Sequence, residues 1–263
     1  MKIEVLEKNN SKIKFLISDI KTSFAGSLRR TMISEVPTMA IEWIDFKKNG
    51  SAMPDEILAN RLGQVPLTYD RKAYNLPSEC KCGGKGCSRC QVKISLKKKG
   101  PGMVHSDNLK SGDKSVKPAI EKIAIVELFE DQELQFVATA QLGIGREHAK
   151  WKAAVVGYKN LPKIKVNEID KKDIEKFVDV CPRGVFKINN GKLVVKDPED
   201  CNLCMQCVEA SKKGEIQVTP VEDAFVFNVE SISGLKPEEI VLLAAKILGS
   251  KMEKFKKALK KVK

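Results

Sequence analysis

Eight cysteines carry most of the chemistry this 263-residue sequence offers, and they fall into two tight groups of four. The first is Cys80, Cys82, Cys87 and Cys90, spaced C-x-C-x4-C-x2-C on a glycine-rich loop. The second is Cys181, Cys201, Cys204 and Cys207. The N-terminus, Met-Lys-Ile-Glu-Val-Leu-Glu, alternates like a strand and has no signal-peptide core. Clustered cysteines behind such a start favour metal sites over a secreted disulfide framework. Four thiolates on the first loop close tetrahedrally around zinc with no open position, which makes that site structural rather than catalytic. Disulfides are the rival there, because intracellular disulfides are common in hyperthermophiles.

The second group fits a longer pattern. The bacterial ferredoxin run is C-x2-C-x2-C-x3-C-P, and in two-cluster ferredoxins its fourth cysteine ligates the other cluster. Cys181-Pro182 is the tail of one such run, whose three leading positions are Lys171, Ile174 and Phe177. Cys201, Cys204 and Cys207 lead a second run, whose tail position is Ser211, followed by Lys212 instead of proline. Crossed ligation then joins Cys181 with Cys201, Cys204 and Cys207 in one complete set and leaves the other cluster without a ligand. The expected cofactor is an iron–sulfur cluster: 4Fe–4S if Cys181 ligates, 3Fe–4S if only three cysteines do. Zinc, or a disulfide plus free thiols, are the alternatives. Between Cys181 and Cys201 the chain reads as a hairpin turning at Asn190-Gly191.

The elements that must position these groups follow from periodicity and punctuation. Residues 3–7 and 13–17 read as two strands around Asn9-Asn10-Ser11. From Thr22, the positions Phe24, Leu28 and Met32, widened by Ala25 and Ile33, predict an amphipathic helix of about three turns. Ser23 is its expected N-cap, and Pro37 ends it by pushing Val36 to extended geometry. Residues 38–44 read as a strand. Pro54, Asp55 and Glu56 open a short helix that Gly63 stops. Residues 67–115 are expected to be irregular, with short strands such as 92–96. Residues 123–128, 133–140 and 224–231 read as strands. The final helix starts at Pro237, and Ile240, Leu243, Ala244, Ile247, Leu248, Phe255, Leu259 and Val262 trace one apolar face of about seven turns. His148 beside Glu147 has no nucleophile near it in sequence and reads as a packing histidine rather than an acid–base group.

Composition bounds the function. The chain is 42% hydrophobic and 31% charged, and no apolar run approaches the roughly 20 residues of a membrane span, so a cytoplasmic protein without membrane contact is expected. The net charge is +13, and only seven of the 47 basic residues are arginine. Few aromatics are interleaved with the lysines, so specific direct reading of nucleic acid is not expected.

Three stretches resemble a known family. Ala25-Gly-Ser-Leu-Arg-Arg-Thr with Glu35-Val-Pro is similar to the first helix of the α-like subunits of multisubunit DNA-directed RNA polymerases, nearest to the archaeal D-type branch beside the bacterial α and eukaryotic third-largest-subunit branches. Glu56-Ile-Leu-Ala-Asn-Arg-Leu-Gly-Gln-Val-Pro-Leu67 resembles the segment opening the inserted second domain of these subunits. Gly143-Ile-Gly-Arg-Glu-His-Ala-Lys-Trp151 resembles the loop before that domain's last strand.

The resemblance implies an α+β chain with a discontinuous α-like dimerisation domain (1–44 with 222–263). It also implies an inserted mixed β-rich domain (45–160) and a ferredoxin-like iron–sulfur insert (161–221). It implies a non-catalytic assembly subunit, part of a nucleotidyltransferase complex but with no catalytic residue of its own. Such a chain pairs with a small α-like subunit (L in archaea) and then docks the second-largest and other small subunits. Phe24, Leu28, Arg29, Arg30 and Met32, completed by Ile247 and Phe255, would lie at or near the partner-facing region. Eukaryotic counterparts carry a zinc loop where Cys80–Cys90 stands, and the gap from Cys82 to Cys87 is one residue longer here. The alternatives are a ferredoxin-like electron-transfer protein or redox-enzyme subunit, and a nucleic-acid-binding zinc protein. Gly143-Ile-Gly-Arg is too short for a nucleotide fingerprint.

Overall fold

Alternation from Lys2 onward folds as a hairpin in the computed structural model, which describes residues 1–170, 173–211 and 213–261. Strands β1 (Lys2–Lys8) and β2 (Lys12–Ser18) pair antiparallel with Lys2 opposite Ser18. Asn9 closes the turn, its side-chain oxygen accepting from Ser11 N at 3.0 Å and Lys12 N at 2.7 Å. Ile13, Phe15 and Ile17 of β2 share its buried face, as a period of two requires.

Helix α1 (Thr22–Ser34) begins one residue before the expected cap. The Lys21 carbonyl accepts from Phe24 N and Ala25 N, so Ser23 is not the N-cap. It lies in the first turn, where its own carbonyl takes a bond from Ser27 Oγ at 2.8 Å. Strand β3 (Thr38–Asn49) continues past Ile44, because its partner strand is long enough to pair with it to Asn49. Helix α2 (Asp55–Gly63) has Pro54 at its N-cap and two acidic residues in its first turn, where the helix dipole favours them. Then come β4 (Gln91–Lys99), β5 (Gly102–His105), β6 (Lys110–Ser111), β7 (Ala124–Leu128) and β8 (Glu133–Gly143). The stretch expected to be irregular with short strands thus carries three, of which β4 runs beyond the expected 92–96.

Strand β9 (Ala154–Val166), which periodicity did not reveal, runs straight through Leu161-Pro162-Lys163. Proline donates no ladder hydrogen bond and is tolerated because β9 is an edge strand. Helix α3 (Ile174–Val180), strands β10 (Phe186–Asn189) and β11 (Lys192–Val195), and the short α4 (Gln206–Glu209) follow. The β10–β11 turn is Asn190-Gly191, both at positive φ (49° and 71°), as the hairpin reading expects. Strand β12 (Ile216–Ser231) passes through Pro220, and α5 (Pro237–Leu259) ends the described chain. The expected module edges at 161 and 221 therefore fall inside continuous strands.

The chain divides into two compact units. One comprises Met1–Lys8, Ile13–Ser27 and Gly157–Asn228; the other comprises Asn9–Lys12, Leu28–Val156 and Val229–Lys263. The first holds most of a sheet ordered β1-β2-β12-β9 and a small core around Ile174, Phe177, Phe186, Ile216 and Val218. Ile174 and Phe177 occupy two ligand positions of the missing second cluster, and there they pack as core. Of the other two, Lys171 lies outside the described residues, as does Lys212, and Ser211 Oγ donates to Glu215 at 2.6 Å.

The second unit is built on a sheet ordered β3-β8-β4-β6, and in it β5 and β7 also pair antiparallel as a separate two-stranded sheet. Val92, Ile94 and Leu96 of β4 and Leu134, Phe136, Ala138 and Ala140 of β8 form one buried face, closed by Leu58 and Leu62 of α2. The Gly143-Ile-Gly motif serves packing. A Cβ at Gly143 would run into the Trp151 indole, and one at Gly145 into the Ile33 carbonyl. His148 is a cap: its Nδ1 accepts from Lys150 N at 3.1 Å, and its ring stands edge-on to Trp151.

Candidate metal centres

The first cysteine group is mounted on the edge of β4. Cys90 is fully buried and leads directly into Gln91, and the Gln91 N–H bonds back to the Cys87 carbonyl at 2.9 Å. Gly83, Gly84 and Gly86, at φ of 63°, 81° and 94°, let the chain double back between Cys82 and Cys87 where a side chain would strain the turn. All four sulfurs lie within 4.8 Å of one another. Cys80–Cys87 and Cys82–Cys90 are 3.6 Å apart and Cys87–Cys90 3.7 Å, against about 2.05 Å for a bonded pair, so the four are free thiols here rather than the rival disulfides. Cys87 N donates to Cys90 Sγ at 3.2 Å. The sulfur bond to Cys80 holds the Cys82 thiol down to about 6, while burial pushes Cys90 up to about 12. A cation among them would release the proton that Cys90 retains alone. This geometry suits four ligands around one metal ion.

The second group converges from three elements in the first unit. Cys181 caps the C-terminus of α3, Cys201 and Cys204 lie on the loop after β11, and Cys207 sits in α4. Leu203 and Met205 alternate with the cysteines and take left-handed conformations (φ 59° and 67°), rare for such side chains, so the loop curls with its sulfurs to one side. All four cysteines line one pocket, together with the apolar Ile164 and Val218. Val185 N points at Cys181 Sγ (3.5 Å) and Leu203 N at Cys201 Sγ (3.4 Å), as donors to thiolate sulfur do. Burial raises the Cys207 thiol, and the neighbouring Cys201, Cys181 and Cys204 raise it further.

Charged residues that sequence reading did not find gather beside Cys201, and of these Arg183 lines the pocket. Lys14 of β2 pairs with Asp200 at 2.6 Å, Lys159 of β9 donates to the Cys201 carbonyl at 2.7 Å, and Arg183 Nε reaches the Asp200 carbonyl at 3.4 Å. Lys14 and Lys159 come from strands far from Cys201 in sequence, so no local spacing could have flagged them.

The residues expected to face a partner divide. Leu28 and Met32 are buried within the chain, Arg29 and Ile247 are half-buried, and Arg30, Phe24 and Phe255 are exposed. The apolar face expected on α5 also divides. Ile240 and Ala244 turn inward and Leu243, Ile247 and Leu248 are half-buried, whereas Leu242, Met252, Phe255 and Leu259 are 54–65% exposed. With exposed Ala245 and Gly249 they form a second stripe at helical spacing. Val262 lies outside the described residues. Glu35, just beyond α1, pairs with Lys251 of α5. No helix among the described residues is long and apolar enough to cross a membrane.

The family model described as the RNA polymerase Rpb3/Rpb11 dimerisation domain matches residues 14–252. The chain is 39% identical over 261 residues to DNA-directed RNA polymerase subunit Rpo3 of Methanosphaera stadtmanae, covering 96% of both chains. It is 38% identical to the Archaeoglobus fulgidus Rpo3 (99% and 98% covered) and 40% identical to that of Methanothermobacter thermautotrophicus (96% and 97% covered).

Proposed function

Because the chain belongs to the RNA polymerase Rpb3/Rpb11 dimerisation-domain family, we propose that it is the non-catalytic assembly subunit of an archaeal-type DNA-directed RNA polymerase. The observation that carries this reading is the exposed apolar stripe of α5, which nothing in the chain's own core uses. Such a stripe calls for a partner helix. The partner on this reading is a small α-like subunit of the L type, and the heterodimer then docks the second-largest and other small subunits. Residues 1–44 with 222–263 supply the dimerisation domain, 45–160 the inserted domain and 161–221 the ferredoxin-like insert.

Both cysteine groups serve this role as structural staples. Zinc is the ion that fits the first: bonds of about 2.3 Å in a tetrahedron separate sulfurs by about 3.8 Å, close to the 3.6–3.7 Å observed. An iron–sulfur cluster fits the second, whose four thiols line an otherwise largely apolar pocket with backbone N–H groups at two sulfurs. When bound, the cluster supplies covalent cross-links between α3, the loop after β11 and α4. Cys181 lines the pocket with the other three cysteines, which supports the 4Fe–4S form over the 3Fe–4S form. Electron transfer is the weaker reading, because Ile174 and Phe177 replace a second cluster with packed side chains.

The test is anaerobic co-expression with a small α-like subunit, followed by sizing and analysis of iron, sulfide and zinc. A 1:1 heterodimer with one cluster and one zinc per chain, lacking oxidoreductase activity, supports the proposal. A partner-free monomer that cycles electrons with a soluble redox partner overturns it.

A further inference from the structure

Lys159 is an anomaly in the first unit. Its side chain is half-buried against the Cys201 loop, where a lysine normally acquires a carboxylate. Among the described residues no carboxylate ion-pairs with it: its ammonium meets only the Cys201 carbonyl, at 2.7 Å. The nearby carboxylate, Asp200, is taken by Lys14, whose side chain is 12% exposed. Arg183 adds a third cation through the Asp200 carbonyl. Lys14, Lys159 and the exposed Arg183 face two carboxylates, Asp200 and the exposed Glu7 that also pairs with Lys14 at 3.3 Å, which leaves a formal excess of one positive charge (3 − 2) beside Cys201, with Lys159 the cation no carboxylate pairs. Unbalanced buried charge is unfavourable unless an anion completes it.

We propose that Lys159 is the counter-charge of the cluster held by Cys181, Cys201, Cys204 and Cys207, a positioning residue that favours the more negative, reduced form of the cluster and slows its loss. This rests on the iron–sulfur reading of that pocket. A cluster with four thiolate ligands is an anion whose charge grows on one-electron reduction, and net charge around it is one of the levers on its potential. The Lys159 ammonium, fixed by the Cys201 carbonyl, therefore stabilises the reduced cluster more than the oxidised one. Asp200 opposes it from the same side.

The test uses the full chain in complex with its small α-like subunit, prepared anaerobically, with iron and sulfide quantified before a dithionite titration with mediators. In Lys159→Met the reduced-to-oxidised ratio at a given potential should fall at least tenfold, a midpoint drop of about 59 mV for one electron. Iron release to a chelator should quicken severalfold, and Lys159→Arg should restore most of both. Asp200→Asn, which keeps Lys159, should shift the midpoint upward. A wild-type complex without iron and sulfide overturns the cluster reading itself. A loaded wild type whose midpoint and iron release are unchanged in Lys159→Met overturns the role of Lys159 alone. If Lys159→Met fails to fold, the sign of the Asp200→Asn shift decides: upward supports the proposal, and no shift or a downward one overturns it.

Discussion

Cys90 shows how much a single side chain depends on where the chain puts it. It has no accessible surface, and burial, reinforced by the hydrogen bonds of the Cys82, Cys87 and Cys80 sulfurs, keeps its thiol protonated well above neutral pH. The loop is thus a poor host for a free thiolate but a good one for a thiolate neutralised by a cation. Cys90→Ser should abolish zinc binding, from one equivalent to none by elemental analysis, and lower the melting temperature; retention of one equivalent would count against the zinc site. Glu215 is a second such case. Ser211 Oγ at 2.6 Å and the Lys213 N–H at 2.8 Å hold its carboxylate down to about 2 from an ordinary 4.5. A depressed carboxylate contributes stability that is complete above its unfolded value and is lost as pH falls through the folded one. Glu215→Gln should therefore lower the melting temperature at pH 7 and leave it little changed near pH 2, a difference that calorimetry across pH would detect.

Among the elements, α5 carries the assembly argument because it has two apolar stripes with different fates. The inward stripe is core: Ile240→Ala should cost the chain about 2–5 kcal/mol in denaturant melts. The outward stripe is not. Phe255→Ala and Leu242→Ala should leave the melting of the isolated chain within about 0.5 kcal/mol of wild type. At least one of the two should weaken the heterodimer by about 2 kcal/mol or more, near thirtyfold in Kd by titration calorimetry. Equal losses in stability and affinity would instead place the outward stripe in the fold. Strand β9 has a comparable division of labour: it carries Pro162 at a sheet edge and Lys159 beside the cysteine pocket.

For the whole molecule the expectation is that stability and assembly are one equilibrium. A partner that binds only the folded chain stabilises it by about 2.7 kcal/mol at a hundredfold excess over Kd. The melting temperature of the chain should thus climb with added small α-like subunit. A melting temperature independent of the partner would remove the heterodimer from the account. Much of this was legible beforehand. The Cys181 and Cys201–Cys207 set, the Asn190-Gly191 turn, and the onsets of α2 and α5 follow from residue types at fixed short spacing. Less legible were the extents of β3 and β9, which are set by how far a neighbouring strand offers hydrogen bonds rather than by their own residues.

The sequence by itself determined which cysteines belong together, which helices are amphipathic, and the family to which the chain is assigned, because each is encoded in local spacing. Tertiary structure alone decided the 3.6–3.7 Å sulfur spacing of the first loop and the burial of Leu28 and Met32. It also decided which apolar residues of α5 face outward and how Lys14, Lys159 and Arg183 gather beside Cys201. The physical reason is common to all of these. Burial and electrostatic environment depend on residues brought together across long stretches of chain, such as Lys14 and Asp200, which no local spacing records.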